Sequence, residues 1–331
     1  MRASAPVAIL VVGKEGSLHP AVAAGAFFFS GPVCLGAAVR PALGASPGSN
    51  RPISYNWPMS GQPQKHSREP KRHHYVPKFV LSPWAKEWQP NQMTLRGYYW
   101  DEGSGSLRHD KGVDGFCNRI DLLALKGRRE GRAVLETRFF QTIDDKGGQA
   151  LAALHAVGPE GLSADQRTDF ARLLLSLEAR RPVIVQRLRE EASRYKKGFD
   201  EDPELQRAFA ELGVTDSPSA YAENRLGWNF EDRALLLIQR LVDNPAVGGR
   251  LINASWYLKK LRPEHGSLML SDRPLIRTHG ADHPGATWVL PLGPSVAFVA
   301  ANHPENTRRI KKASPVCSEN QIRRRRGEQT A

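Results

Sequence analysis

Ile252-Asn253-Ala254-Ser255-Trp256-Tyr257-Leu258-Lys259 alternates apolar and polar side chains with a period of two. Successive side chains of a strand point to opposite faces, so the run reads as a half-buried β-strand. Downstream, Glu264-His265-Gly266 reads as a turn, and Ser267–Leu270, Thr287–Leu292 and Ser295–Ala300 read as further short strands. Upstream the period is helical. Ser163-Ala164-Asp165-Gln166 is a capping box, in which the serine and glutamine side chains satisfy each other's backbone amides. Phe170, Leu173, Leu174 and Leu177 then recur on one helix face. Pro182 must kink or break that helix, because it lacks an N–H and crowds the preceding turn.

The same reading extends to both sides. Asp202-Pro203 opens a helix that Gly213 closes, and Phe230–Val242 is another. Glu136–Val157 reads as a helix weakened by Gly147-Gly148. Met93–Trp100 and Ser106–His109 form a hairpin around the turn residues Asp101-Glu102-Gly103-Ser104-Gly105. Pro77 suits the first position of a short helical turn that Pro83 ends. A helical middle followed by a run of strands predicts an α+β fold, with the helical middle region packed on a C-terminal antiparallel sheet.

The predicted single α+β domain occupies residues 71–307. Residues 1–58 are rich in Ala, Gly, Pro and Ser with no capped amphipathic helix, and Met59 opens a short polar leader. Residues 1–70 are therefore expected to be a disordered or spurious extension, and residues 308–331 a basic disordered tail. The net charge of +13 belongs to these ends. Residues 1–72 carry eight Lys/Arg against two Asp/Glu, residues 308–331 carry the same, and positions 73–307 hold 31 against 30. A nucleic-acid surface shows as a basic face on the domain itself, so only weak, salt-sensitive nucleic-acid contact through the tails is expected. Pro20–Val39 is apolar but is interrupted by Gly25, Ser30-Gly31-Pro32 and Gly36, so no membrane partner is expected. Cys34, Cys117 and Cys317 lie far apart, which argues against a disulfide scaffold or thiolate zinc site and suits a reducing cytoplasm. No glycine-rich phosphate loop appears, and the sequence names neither a cofactor nor a metal.

Chemistry concentrates at three places. In Lys71-Arg72-His73-His74-Tyr75-Val76-Pro77, one packing face cannot bury both imidazoles. His73 and His74 are candidates for general acid, general base or metal ligand; alternatively both bond the backbone and fix where the chain enters the domain. Asp272, in Ser271-Asp272-Arg273-Pro274 at a strand end, is a carboxylate base or ligand, or else caps a local turn. Ser271 lacks the Gly-x-Ser-x-Gly surroundings of a nucleophile elbow. Arg181, in Arg180-Arg181-Pro182, could clamp an anion through its planar fork, or be an ion-paired surface residue. His279 and His283 are four apart, but Gly280 and Pro284 place them in a loop, where that spacing carries little information about a metal. The candidate catalytic set is His73, His74, Asp272 and Arg181. It points to a hydrolase or nuclease-like enzyme, in which histidine and carboxylate move protons and arginine stabilises a developing anion. The competing reading is a non-catalytic binding or interaction module.

The His-His-Tyr-Val-Pro run resembles the opening of the bacterial domain-of-unknown-function family 4238. Leu268-Met269-Leu270-Ser271-Asp272-Arg273-Pro274-Leu275 is similar to its apolar-Ser-Asp-x-Pro strand end. Val289-Leu290-Pro291-Leu292-Gly293-Pro294 is similar to its Pro-Leu-x-Pro strand, and the three lie in the family's order. The resemblance runs from Lys71 to Asn306 and implies a shared fold, with no activity attached. It also implies an arginine before proline in a long helix, met here by Arg180-Arg181-Pro182. A family acidic position, usually Glu, falls near Asp144, with Asp145 beside it.

Overall fold

The computed structural model describes residues 10–13, 69–89, 92–101, 105–128, 130–262, 267–303 and 305–306. β1 (Leu10–Gly13) lies within the N-terminal extension, for which the sequence predicts no element. β2 (Arg72–His74) is followed by α1 (Lys78–Leu81), and Pro77 stands just outside that helix as its extended N-cap. Pro83 sits in the tight turn Ser82–Trp84 that ends it. β3 (Lys86–Gln89), β4 (Gln92–Asp101) and β5 (Gly105–Gly112) come next. β4 and β5 make the predicted hairpin, in register from Thr94↔Gly112 to Asp101↔Gly105. β5 lines one edge of β4, while β3 and β1 share the other, β1 running parallel to it. β6 (Asn118–Ile120) pairs antiparallel with β2, setting His73 opposite Arg119 and His74 opposite Asn118.

The helical middle begins at a π-helical turn, Leu135–Phe140, that leads into α2 (Gln141–Val157). α3 (Ala164–Ala179) starts at the predicted box: Ser163 Oγ accepts from the Gln166 amide at 3.1 Å, and Gln166 Oε1 accepts from the Ser163 amide at 2.9 Å. Pro182 breaks the chain into two helices, because α4 (Pro182–Asp200) opens with the proline in its first turn. α5 (Pro203–Glu211) follows the Asp202 cap, and Gly213 leaves it at a left-handed φ of 66°. α6 (Pro218–Leu226), α7 (Phe230–Val242) and α8 (Pro245–Asn253) complete the layer. Of the Gly147-Gly148 pair, Gly147 is a packing device. A Cβ on Gly147 would lie 2.7 Å from Leu173 Cβ, so the bare glycine sets how closely α2 approaches α3. That closeness offsets the roughly 1 kcal/mol of helix propensity that a glycine forgoes against alanine.

β7 (Ser255–Lys260) starts later than its alternation suggests, since Ile252 and Asn253 finish α8. β8 (Leu270–Ser271) is shorter than predicted and joins β1 in the first sheet. β9 (Ile276–Arg277), β10 (Thr287–Gly293) and β11 (Val296–Ala301) combine with β7 into an antiparallel sheet of order β7-β11-β10-β9. Phe170 of α3 packs against both Trp256 of β7 and Phe298 of β11, with edge-to-face centroid distances of 5.7 and 5.0 Å, and those two rings also meet at 4.9 Å. Arg167 of α3 binds the Ile252 and Ala254 carbonyls, both at 2.6 Å, and closes the end of α8. One apolar cluster thus runs from Tyr75 through α2 and α3 to Ala300. The fold is α+β, with the helical middle on a C-terminal antiparallel sheet. Among the described residues no helix is long and apolar enough to cross a membrane. The Pro20–Val39 stretch, the turn at Glu264-His265-Gly266 and the basic tail 308–331 lie outside the described residues.

Candidate active site

The β2–β6 ribbon separates the two histidines, because strand alternation sends neighbouring side chains to opposite faces. His73 is fully buried. Its Nδ1 accepts from the Leu123 amide at 2.9 Å, and its Nε2 lies 3.0 Å from the Pro70 carbonyl. That network assigns the Nε2–H tautomer. Burial holds the pKa below the ordinary histidine value, and both nitrogens are committed to backbone. Both ring nitrogens thus face backbone groups, a clasp of the kind expected if the histidines fix where the chain enters the domain. The clasp holds the segment after β6, together with other ties. The Asp121 amide donates to Lys71 O at 2.8 Å, and Arg189 of α4 donates to the Leu122 and Ala124 carbonyls at 3.0 and 3.2 Å. Asp232 of α7 accepts from the Lys126 and Gly127 amides at 2.6 and 2.9 Å. At the two ends of β6, Cys117 and Asp121 adopt φ of 50° and 54°, a left-handed region that non-glycine residues enter at a cost.

His74 faces a different set of groups. Its backbone amide donates to Glu136 Oε1 at 3.4 Å. Burial lowers its pKa, the Lys78 charge lowers it further, and a hydrogen bond to the Asp114 backbone opposes both. Its Nε2 is buried and has no hydrogen-bond partner among the described residues. Glu136 sits on the π-helical turn, and its Oε2 is likewise buried and unpartnered among the described residues. Burial pushes its carboxyl up to about 7, against the opposing pull of Arg180 and the His74 amide, while the Asp144 charge adds to the rise. Arg180, fully buried, is held by Asp144 and by Ser176 Oγ at 3.1 Å, yet its Nε also lacks a partner among the described residues. Lys78 and Asp114, paired at the surface, stand beside His74. Three buried polar atoms, an imidazole nitrogen, a carboxyl oxygen and a guanidinium N–H, thus belong to one linked group of side chains. Such groups are satisfied by a bound molecule or an ordered water.

Asp272 and Arg181 are tied to other groups. Asp272 acts electrostatically on Arg181, Arg119 and Cys117, whose thiol burial and the Asp272 charge both push upward. Arg181 lies with Arg273, Glu178, Asp272 and Arg187, whereas the arginine beside His74 and Glu136 is Arg180. Ser271 Oγ is engaged in a turn with Arg273, donating to its carbonyl at 2.8 Å and accepting from its amide at 3.1 Å. The His279 and His283 rings stack at 4.2 Å, and Gly285 donates its amide to His283 Nδ1 at 2.9 Å. Among the described residues no group of three or more His, Cys, Asp or Glu is placed to hold a metal ion.

Glu136 and Arg180 are the site residues that sequence reasoning passed over. Both carried a signal. Glu136 is a carboxylate among Ala133, Val134, Leu135, Phe139 and Phe140, and Arg180 continues the helical spacing of Leu173 and Leu177 onto the buried face. No curated protein and no solved structure matches the chain. A family does match, over residues 72–323, which include both histidines, Glu136 and Arg180, and the chain belongs to it: the family described as Protein of unknown function (DUF4238).

Proposed function

We propose that this protein is a hydrolase in which His74 is the base and Glu136 the acid of one acid–base pair. The observation that carries this reading is the inverted order of the two groups. Burial raises the Glu136 carboxyl to about 7 and lowers the His74 imidazole below its ordinary value. Near neutral pH the imidazole is therefore in its base form, while a large share of the carboxyl keeps its proton. Environments that push two titratable groups apart in this way set acid and base roles. His74 Nε2 takes a proton from water as the water oxygen attacks the substrate. Glu136 gives its proton to the departing oxygen. The imidazolium and carboxylate that remain reset through solvent. The buried Arg180 guanidinium stabilises the carboxylate formed. The π-helical turn that presents Glu136 supports the reading, since such turns are frequent at functional sites.

A panel of chromogenic carboxylic and phosphoric esters tests it, with the wild type, Glu136→Gln and His74→Ala assayed across pH. At least one ester class should be hydrolysed with a bell-shaped profile, its acid limb below 6.5 and its alkaline limb near 7. Each substitution should reduce the rate by about 10²–10⁴-fold. Hydrolysis at wild-type rate in both variants, or no hydrolysis by the wild type, removes this reading in favour of a non-catalytic binding module.

A further inference from the structure

His74 Nε2 and Glu136 Oε2, the atoms that would exchange protons with a substrate, are both buried, although each residue as a whole is only half-buried. They lie under a thin cover, and a substrate reaches them only after part of that cover moves. Three contacts join the short turn Val113–Gly115, between β5 and β6, to the His74 side of the β2–β6 ribbon. Asn118 stands opposite His74 on the same face of the ribbon, and its Nδ2 donates to the Asp114 carbonyl at 2.8 Å. The His74 side chain itself bonds the Asp114 backbone. The Asp114 carboxylate pairs with Lys78, the first residue of α1 and four residues beyond His74. The turn is lightly anchored. Its closing backbone bond, from the Phe116 amide to the Val113 carbonyl, is long at 3.3 Å. At its start, a Cβ on Gly112 would meet nothing within 4 Å among the described residues, so the turn has room to swing there. At its end, Phe116 is buried against Gly97 and stays fixed.

We propose, resting on the acid–base reading of His74 and Glu136, that Val113–Gly115 is a lid over that site and that the Lys78–Asp114 ion pair is its latch, so that ionic strength regulates access. The two side chains are 55% and 70% exposed, which leaves their attraction open to screening by salt. An exposed pair of this kind holds weakly, strong enough to favour the closed turn and weak enough to release it. Opening takes the Asp114 carbonyl away from His74 and Asn118, and water replaces those bonds. Asn118 keeps a second acceptor, the Phe116 carbonyl at 3.3 Å, on the fixed side of the turn. The link between the His74 amide and Glu136 Oε1 involves neither Lys78 nor Asp114, so the acid–base pair keeps its arrangement while its cover moves.

Carbethoxylation by diethyl pyrocarbonate, followed histidine by histidine on the full chain by peptide mass spectrometry, reads access to His74 without any substrate. At about pH 8 an imidazole is neutral and reactive, so differences in rate report access. In the wild type at low salt, His74 should react at least about tenfold more slowly than the exposed His283, and His73, with both ring nitrogens on backbone groups, should stay unmodified. Asp114→Asn and Lys78→Gln should each raise the His74 rate by about two- to fivefold, as much as an exposed pair holds back. Raising the salt from about 10 mM to about 1 M, which shortens the screening length from about 30 Å to about 3 Å, should raise the wild-type rate likewise and leave both variants as they are. The charge swap Lys78→Asp with Asp114→Lys should restore wild-type protection. Modification of His73 along with His74 in a variant marks unfolding, and the salt series on the wild type then decides. A wild-type His74 rate equal to that of His283 overturns the lid. Rates unchanged by both single substitutions and by salt, or raised in the swap as much as in the single variants, overturn the latch. A wild type that hydrolyses no ester removes the catalytic reading and leaves these rates readable, so the two failures are told apart.

Discussion

Arg180 holds Asp144 through two hydrogen bonds, Nη1 to Oδ2 at 3.0 Å and Nη2 to Oδ1 at 2.6 Å, with the guanidinium fully buried and the carboxylate 25% exposed. The pair ties the end of α3 to the first turn of α2, and Phe140 packs under the guanidinium at 5.1 Å. Taking one partner away leaves the other's charge without compensation. Asp144→Ala should therefore destabilise by about 3–5 kcal/mol in urea unfolding. The double variant Asp144→Leu with Arg180→Met should recover most of that loss, because an apolar pair of similar volume avoids burying charge. Additive losses would show that the pair is not the unit that matters.

His73 should behave as a structural residue. His73→Ala strips the buried Leu123 amide of its acceptor and the Pro70 carbonyl of its partner. A buried group left unsatisfied costs about 1–3 kcal/mol. Scanning calorimetry should show a clear fall in thermal midpoint for His73→Ala and a smaller one for His74→Ala, whose Nε2 bonds nothing among the described residues. Equal falls in the two would contradict the separate roles given to them.

The α2–α3 contact predicts a non-additive pair. Gly147→Ala gains helix propensity of about 1 kcal/mol but drives its Cβ to within 2.7 Å of Leu173 Cβ, and overpacking costs about 1–3 kcal/mol. The net effect should be destabilising. Leu173→Ala alone should cost about 2–5 kcal/mol, since Leu173 is fully buried. In a double-mutant cycle by urea unfolding, Leu173→Ala should cost less in the Gly147→Ala background than in the wild type. Strict additivity would mean that α2 simply moves away.

Most of this architecture was legible where the signal is local. The Ser163 box, the Asp202-Pro203 start and the hairpin around residues 101–105 depend on neighbours in sequence, and each appears where its residues place it. α6 and α8 carry the same signature as α5, a capping side chain before proline at Ser217-Pro218 and Asn244-Pro245, and were readable on that ground. The parallel pairing of β1 with β8 was not, because parallel strands far apart in sequence leave no turn between them to announce the register. The site was half legible. The His-His run marks the ribbon, but which imidazole is free depends on Leu123 and Pro70, which only the fold brings to His73. Arg181 stands next to the proline and drew the reading, while the helical spacing that buries Arg180 ends there. A π-helical turn has no composition of its own, so the apolar neighbours of Glu136 hint at its burial but not at the turn that presents it.

Glu136 should also write itself into the pH dependence of stability. Its carboxyl is raised from 4.5 to about 7 in the folded protein, first by burial, with the Asp144 charge adding to the rise. Below 4.5 the group is protonated in both folded and unfolded chains, and its contribution is fully present. Between 4.5 and 7 the unfolded chain sheds a proton that the folded one keeps, so stability is lost as pH rises through the folded value. Glu136→Gln cannot titrate. Its stability relative to wild type should therefore climb across that window and level off above it, while the acid-side loss from the lowered His73 and His74 is common to both proteins and cancels. Asp144→Asn removes a charge that raises Glu136, so the same window should move to lower pH. Arg180→Met removes the cation that pulls it down, so the window should move higher. Urea unfolding from about pH 4 to 8, a range that brackets both pKa values, with the infrared carboxyl stretch followed in parallel, reads both shifts. A difference between Glu136→Gln and wild type that stays flat across the range would mean that Glu136 titrates as an exposed glutamate does, and the acid–base pair with His74 would lose its acid.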